Sequence, residues 1–275
     1  MPFIGLRRSV LRGLTVSACL IVFSGLTGMP PAGRMAAPAD PMELEAKVLQ
    51  VLPHDASAFT EGLEVLAGSL YESSGMYRQS WVQKAHLSSG RVSQRVALPP
   101  SWFGEGLTLA NGGLWQLTWR ERTAVFRDSR TLAELRRVTY DGEGWGLCHD
   151  RARGRLMMSD GSATLSLRNP QSFGLLGRIT VHDRNGPVSG LNELECTGTD
   201  VWANVWPTDD IVRVDPGTGR VKATLHIGAL PDLPPAARRP GNVNGIAVDP
   251  STHDLLITGK HWPHVYRVRP QPADR

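Results

Sequence analysis

The chain has 275 residues, 41% apolar and 20% charged, an ordinary globular composition with enough apolar residues for one substantial core or two small ones. Its formal charge is +4, and Arg7, Arg8, Arg12 and Arg34 near the start supply much of the excess. No clustered basic face is left of the kind that grips nucleic acid.

The first stretch, "MPFIGLRRSVLRGLTVSACLIVFSGLTGMPPAGRMAAPAD", joins a basic segment, an apolar run from about Leu14 to Leu26 and an Ala-Pro-Ala site at residues 37 to 39. This is the layout of a signal peptide, and the run is too short for a membrane span. Residues 1–39 are therefore expected to be a processing region and 40–275 the working domain of an exported, periplasmic or secreted protein. "RRSVLR" also permits twin-arginine export. "VSAC" at 16–19 resembles a lipoprotein box, but more apolar residues follow Cys19 than precede it, so lipid anchoring is not expected. Removal of the leader leaves only Cys148 and Cys196. Export permits a bond between them. Both fall on predicted interior strands, where a free thiol serves as a small apolar residue, so the sequence leaves the pairing open, with the interior placement favouring no bond.

The remainder repeats. "FTEGLEV", "FGEGLTL", "GWGLCHD", "LNELECT" and "VNGIAVD" align so that Glu61, Glu105, Trp145, Asn192 and Asn244 share one column, at steps of 44, 40, 47 and 52 residues. A second apolar stretch follows each: "GSLYESSG", "GGLWQLTW", "GRLMMSDGS", "TDVWANVW" and "HDLLITGKHW". In the first four units a hairpin-like segment comes next, "HLSSGRVSQRVAL", "RDSRTLAELRRV", "RNPQSFGLLGRI" and "VDPGTGRVKATL", whose turns carry Gly, Pro, Ser, Asp or Asn. Four strands in about 40 to 50 residues is the mark of a propeller blade.

The fifth unit ends one strand short, after "HVYRVRP", while residues 45 to 52, "EAKVLQVL", form an unassigned strand ahead of the first. The economical solution is an all-β, five-bladed β-propeller whose last blade is completed by this N-terminal strand, which also removes an exposed edge. Two unrelated β-sandwich domains are the competing reading, and they leave the aligned columns unexplained.

The first strand of each blade lines the central channel of a propeller, so the column of Glu61, Glu105, Trp145, Asn192 and Asn244 is expected to ring one mouth. Trp119, Asp160, Trp206 and Lys260 occupy corresponding places after the second strands, with His261 and Trp262 just beyond. Indoles, acids, amides and one ammonium make a small pocket with aromatic walls. The bland readings are tryptophans packed between blades, asparagines bonding local backbone and a solvated Lys260–His261 pair. Glu61 and Glu105 resist such a reading, since an acid beside Gly at the start of an interior strand loses its hydration. Two acids facing one channel also oppose double ionisation, which raises at least one of their pKa values and suits it to general acid/base work. No HExxH, Cys-x-x-Cys, nucleophile elbow, P-loop or dinucleotide fingerprint occurs.

At "FTEGL", "YESSGMYRQS", "FGEGLT", "QLTW", "LNELE", "ANVW", "VNGIA" and "ITGKHW", in order from residue 59 to 262, the sequence resembles the plant and bacterial glutaminyl cyclases, or glutamine cyclotransferases. The resemblance implies a five-bladed propeller enzyme without zinc or other cofactor, converting the N-terminal glutamine of a peptide or protein into pyroglutamate with release of ammonia. It implies Glu105 as the essential acid and Phe59, Phe103, Trp119, Trp145, Asn192, Trp206 and Lys260 as site positions. Of these, Glu105, Asn192 and Lys260 are expected to be catalytic; the others, with Glu61 and Asn244, are expected to bind substrate. Glu61 is a departure, standing where plant members carry glutamine. A monomer without a stable membrane span is expected. The rival functions are a metal-dependent propeller lactonase or related hydrolase, holding a divalent cation through Glu61, Asn192 and Asn244, and a non-catalytic exported propeller that binds a partner.

Overall fold

The structure is a computed structural model, and it describes residues 40–227 and 230–273. The expected leader, with its processing and lipidation signals, lies outside the described residues. Among those residues the chain is all-β, with two single-turn 3₁₀ segments as the only helical elements.

Strand β1 (Met42–Pro53) comes first. A four-stranded antiparallel sheet then follows in chain order: β2 (Thr60–Leu66), β3 (Ser69–Ser74), β4 (Trp81–His86) and β5 (Val92–Ala97). A second such sheet holds β6 (Gly104–Ala110), β7 (Gly113–Thr118), β8 (Thr123–Asp128) and β9 (Glu134–Thr139), and a third β10 (Leu147–Asp150), β11 (Arg155–Met158), β12 (Thr164–Arg168) and β13 (Leu175–Thr180). A short ribbon of β14 (His182–Asp183) and β15 (Gly186–Pro187) leads to β16 (Leu191–Cys196), β17 (Val201–Val205), β18 (Asp210–Val214) and β19 (Val221–His226). The chain ends with β20 (Val243–Val248), β21 (Leu255–Gly259) and β22 (His264–Pro272).

The segments read as hairpins in the sequence span β4–β5, β8–β9, β12–β13 and β18–β19. The strand expected at 45–52 is β1. It pairs antiparallel with β22, from Leu44 opposite Pro272 to Pro53 opposite His264, and parallel with β19, from Met42 opposite Ala223 to Glu45 opposite His226. By bonding on both sides, β1 joins the last two groups of strands into one eight-stranded sheet, β16-β17-β18-β19-β1-β22-β21-β20, and leaves no edge of its own.

Burial falls from the first strand of a sheet to the fourth. All seven residues of β6 are buried, while β9 is buried nowhere along its length; β2 and β5 show the same contrast. The first strands touch one another in the cycle β2, β6, β10, β16, β20 and back to β2. Glycine makes that approach feasible: a Cβ on Gly62 would lie 2.6 Å from the Leu107 nitrogen, and one on Gly106 would lie 2.5 Å from the Trp145 oxygen. These are the glycines of the recurring Glu-Gly-Leu phrase. They are there because neighbouring backbones meet at those points.

Strands that meet in this way do not form backbone ladders with each other, so some inward N–H groups need other acceptors. Buried glutamates supply them. Glu193 accepts from the Ile246 and Leu63 nitrogens at 2.7 and 3.3 Å, Glu195 from the Val248 nitrogen at 3.0 Å, and Glu64 from the Leu109 nitrogen at 3.1 Å. Burial pushes all three carboxyls above their ordinary range.

Against the interior placement that favoured free thiols, the pairing left open by the sequence is made: Cys148 and Cys196 form a disulfide, with Cα atoms 5.4 Å apart. They sit on β10 and β16, neighbours in the cycle of first strands, so the repeat that buries them also brings them together. A bonded pair fills an apolar interior as well as two thiols would. The bond closes a loop between residues 48 apart in sequence. Replacing both by serine is expected to lower the unfolding free energy by roughly 2–4 kcal/mol, read as a lower urea midpoint. Equal midpoints for the two proteins would mean that the cross-link adds nothing to the fold.

Candidate active site

Four of the five column positions coincide with a break in strand register. The pairing slips between Thr60 and Gly62, Gly104 and Leu107, Leu191 and Leu194, and Val243 and Ile246. A bulge of this kind re-aims a side chain out of the regular alternation. Here it acts on Glu61, Glu105, Asn192 and Asn244. In the third unit Trp145 lies just before β10, its nitrogen bonded to the Ser159 oxygen at 3.0 Å.

A second recurrence sets the outer ring. The Gly75, Trp119, Trp206 and Lys260 nitrogens donate to the oxygens of Phe59, Phe103, Gly190 and Asn242, each two residues ahead of the column, at 2.7 to 3.0 Å. The first of these positions is glycine for a steric reason, since a Cβ on Gly75 would come within 2.3 Å of the Phe103 ring.

Phe59, Glu61, Phe103, Glu105, Trp119, Trp145, Asn192, Trp206 and Lys260 line one cavity of about 300 Å³. The structure thus brings together nine of the ten expected site residues. Asn244 is the exception: fully buried behind Glu61, it donates from Nδ2 to Glu61 Oε2 at 2.7 Å and to the Thr60 oxygen at 2.9 Å. Three neighbours expected at this mouth serve elsewhere. Asp160 is exposed and bonds Ser162 in a local turn, Trp262 is buried with its Nε1 on the Ala237 oxygen, and exposed His261 packs against the outside of Phe59.

The walls are aromatic. Phe103 meets Phe59, Tyr77 and Trp119 at ring distances of 6.1, 5.5 and 5.5 Å, while Trp145 and Trp206 stand edge to face at 6.1 Å. Trp206 is 49% exposed and forms the rim. Asn192 is held by its backbone, whose oxygen accepts from Ser159 Oγ at 2.6 Å. Its side-chain Oδ1 is buried without a partner among the described residues, a state that invites a ligand.

The two acids differ in company. Glu61 has both oxygens engaged, Oε1 with Lys260 Nζ at 3.0 Å and Oε2 with Asn244; the same ammonium lies 4.7 Å from the Phe59 ring centre. Burial pushes Glu61 up, and these two donors offset it only in part, so its carboxyl stays above the ordinary range. Glu105 is 5% exposed, and its carboxyl makes no hydrogen bond among the described residues. Burial first, then the charge of Glu61, push it well above the ordinary range; Lys260 opposes this, and Glu143 and Glu121 add to it. Glu105 therefore holds its proton more tightly than a solvated carboxyl, and it lacks the paired ammonium and amide that partly offset burial at Glu61. Lys260 occupies the flank of Glu61 that a divalent cation would need, and among the described residues no three His, Cys, Asp or Glu side chains are grouped to hold a metal.

Glu143 was not singled out from the sequence. Its Oε2 accepts from the indole nitrogens of Trp119 and Trp145 at 2.7 and 3.1 Å, and its Oε1 from Arg120 Nε at 3.0 Å. Burial, the largest influence, works against these bonds, yet together with the Arg120 charge they hold its carboxyl below the ordinary value. A sequence signal did exist: Glu143 stands two residues ahead of its column position, as Phe59 and Phe103 do.

A family model described as glutamine cyclotransferase matches residues 20–269. A glutaminyl-peptide cyclotransferase of Arabidopsis thaliana is 36% identical over 234 residues, which are 83% of this chain and 72% of that protein. The crystal structure of a glutaminyl cyclase of Myxococcus xanthus superposes with a TM-score of 0.75 at 32% identity, covering 86% of this chain and all of the other.

A raised carboxyl pKa in the folded state means that the fold binds the proton more tightly than the unfolded chain does. Stability is then lost as pH climbs above the ordinary carboxylate range. Glu105→Gln is accordingly expected to raise Tm at about pH 7 and to leave it unchanged below about pH 4, where the parent carboxyl is already neutral. Equal Tm values at neutral pH would show a well-solvated carboxyl instead.

Proposed function

The chain belongs to the glutamine cyclotransferase family, and on that premise we propose that it converts the N-terminal glutamine of peptides or proteins into pyroglutamate with release of ammonia. The observation that carries the reading is Glu105: a buried acid of the cavity with no hydrogen-bond partner among the described residues, facing the same space as an Asn192 side chain whose Oδ1 is unpartnered there and three indoles.

In this reading the neutral α-amine of the terminal residue attacks its own γ-carboxamide carbon. The new C–N bond closes the five-membered ring, Glu105 accepts the proton that the amine releases, and the same carboxyl returns it to the departing nitrogen as the old C–N bond breaks. Ammonia leaves and the carboxylate is restored. The raised affinity of Glu105 for its proton suits both transfers. Asn192 donates from its Nδ2 to the oxygen as charge builds there, within a largely buried cavity where a donor counts for most. Lys260 Nζ lies 3.0 Å from Glu61 Oε1, and from that position it shapes the field at the same substrate oxygen. Trp119, Trp145 and Trp206 hold the side chain folded so that amine and carbonyl meet.

The same reading takes the sheets as five blades of a closed propeller, supported by the cycle of first strands and by the double pairing of β1. It takes the chain as exported, supported by the basic-apolar-small leader and by a disulfide that suits an oxidising compartment. It takes the working unit as a monomer.

Purified protein should release ammonia from a glutaminyl dipeptide, and Glu105→Gln should cut turnover by ~10² to 10⁴. A folded variant with unchanged turnover would remove Glu105 from the chemistry. Trp206→Ala is expected to act mainly on KM. A loss confined to kcat would place this indole in the chemical step.

A further inference from the structure

Indole N–H groups can only donate, so two indoles that must hold fixed angles need an acceptor between them. Glu143 Oε2 is that acceptor for Trp119 and Trp145. Its other oxygen is tied back by Arg120, whose guanidinium lies 3.8 Å from the Trp119 ring centre. The remaining faces of the two rings are also set: Trp119 lies against Phe103 and Trp145 against Trp206, and a Cβ on Gly161 would strike Trp145 at 2.7 Å. Each indole is packed on its faces and pinned at its nitrogen. One carboxylate does the pinning for both.

We propose that Glu143 is a positioning residue of this site, fixing the Trp119 and Trp145 walls at the angles that fold the substrate's terminal side chain onto its own amine. It acts through the two indoles, and its Oε2 is occupied by them. The proposal rests on the cyclisation reading for its substrate, whereas the indole geometry stands independently of it.

Glu143 also adds negative charge beside Glu105. The groups that set the field at Glu105 are Glu61, Lys260, Glu121 and Glu143, with Tyr77 and Tyr140 responding to its charge in turn. Removing the Glu143 charge lowers the affinity of Glu105 for its proton, so the acidic limb of kcat/KM moves to lower pH.

Two variants separate these roles. Glu143→Ala removes both acceptor and charge. Glu143→Gln keeps an amide oxygen for the indoles but loses the charge and the attraction to Arg120. For Glu143→Ala, kcat/KM is expected to fall by ~10- to 10²-fold, since misplaced walls lose the reactive geometry. Glu143→Gln should recover most of that loss while retaining the shifted acidic limb. Recovery below a few-fold, or an unmoved limb, would overturn the proposal.

Proton–nitrogen correlation spectra of the indole groups provide a readout that needs no turnover. Of the signals from the eight tryptophans, those of Trp119 and Trp145, assigned by single Trp→Phe variants, should move in Glu143→Ala and return towards the parent in Glu143→Gln. If the parent released no ammonia, the cyclisation reading would fail while this indole test still stood. If the two signals stayed in place, the positioning role would fail whatever the activity.

Discussion

The closeness of the five first strands is the constraint on which the rest of this molecule depends. Backbones that approach until a single Cβ would collide admit glycine at Gly62 and Gly106 and little else. The same closeness withholds water from whatever side chains precede those glycines. Bulges then turn the preceding residues towards one mouth. Packing, desolvation and convergence are thus one event seen at different distances from the backbone.

Placing so many acids in and around a dry interior works because they are treated unequally. Glu193, Glu195 and Glu64 accept backbone N–H groups that no strand ladder reaches. Glu61 faces an ammonium and an amide, and Glu143 is held by two indoles and a guanidinium. Each has at least one oxygen answered by a donor, which lowers the cost of burying it. Glu105 alone among the cavity's carboxyls has none answered among the described residues. The surrounding acids raise its proton affinity further, so the reactivity of one residue is set by how completely the others are satisfied.

Much of this could be read from the sequence because the fold repeats. A column of five short phrases located the bulged positions to the residue, and nine of the ten candidates share the cavity because symmetry-related positions must face the same way. Reading failed where a residue's role depends on a neighbour in another unit. Asn244 sits in the column yet turns behind Glu61, since that carboxylate needs a donor more than the cavity does. Cys148 and Cys196 are legible as interior-strand residues, but their bond depends on β10 and β16 lying side by side, which no local phrase announces. Glu143 escaped because an acid before Trp145 resembles a solvated turn residue until the two indole nitrogens are placed around it. Asp160 shows the converse: correct in register, it closes its own local turn and never reaches the mouth.

Under the cyclisation reading, a chamber of about 300 Å³ with a half-exposed indole at its rim takes in a single terminal residue and leaves everything after it outdoors. Such a chamber is indifferent to how long its client is. What it requires is slack: to reach the buried carboxyl, the first few residues of the client must peel away from their own body, each extended residue spanning at most about 3.5 Å. Under the cyclisation reading, the looseness of a client's beginning therefore governs which proteins are processed, and a tightly docked N-terminus is protected by its own fold.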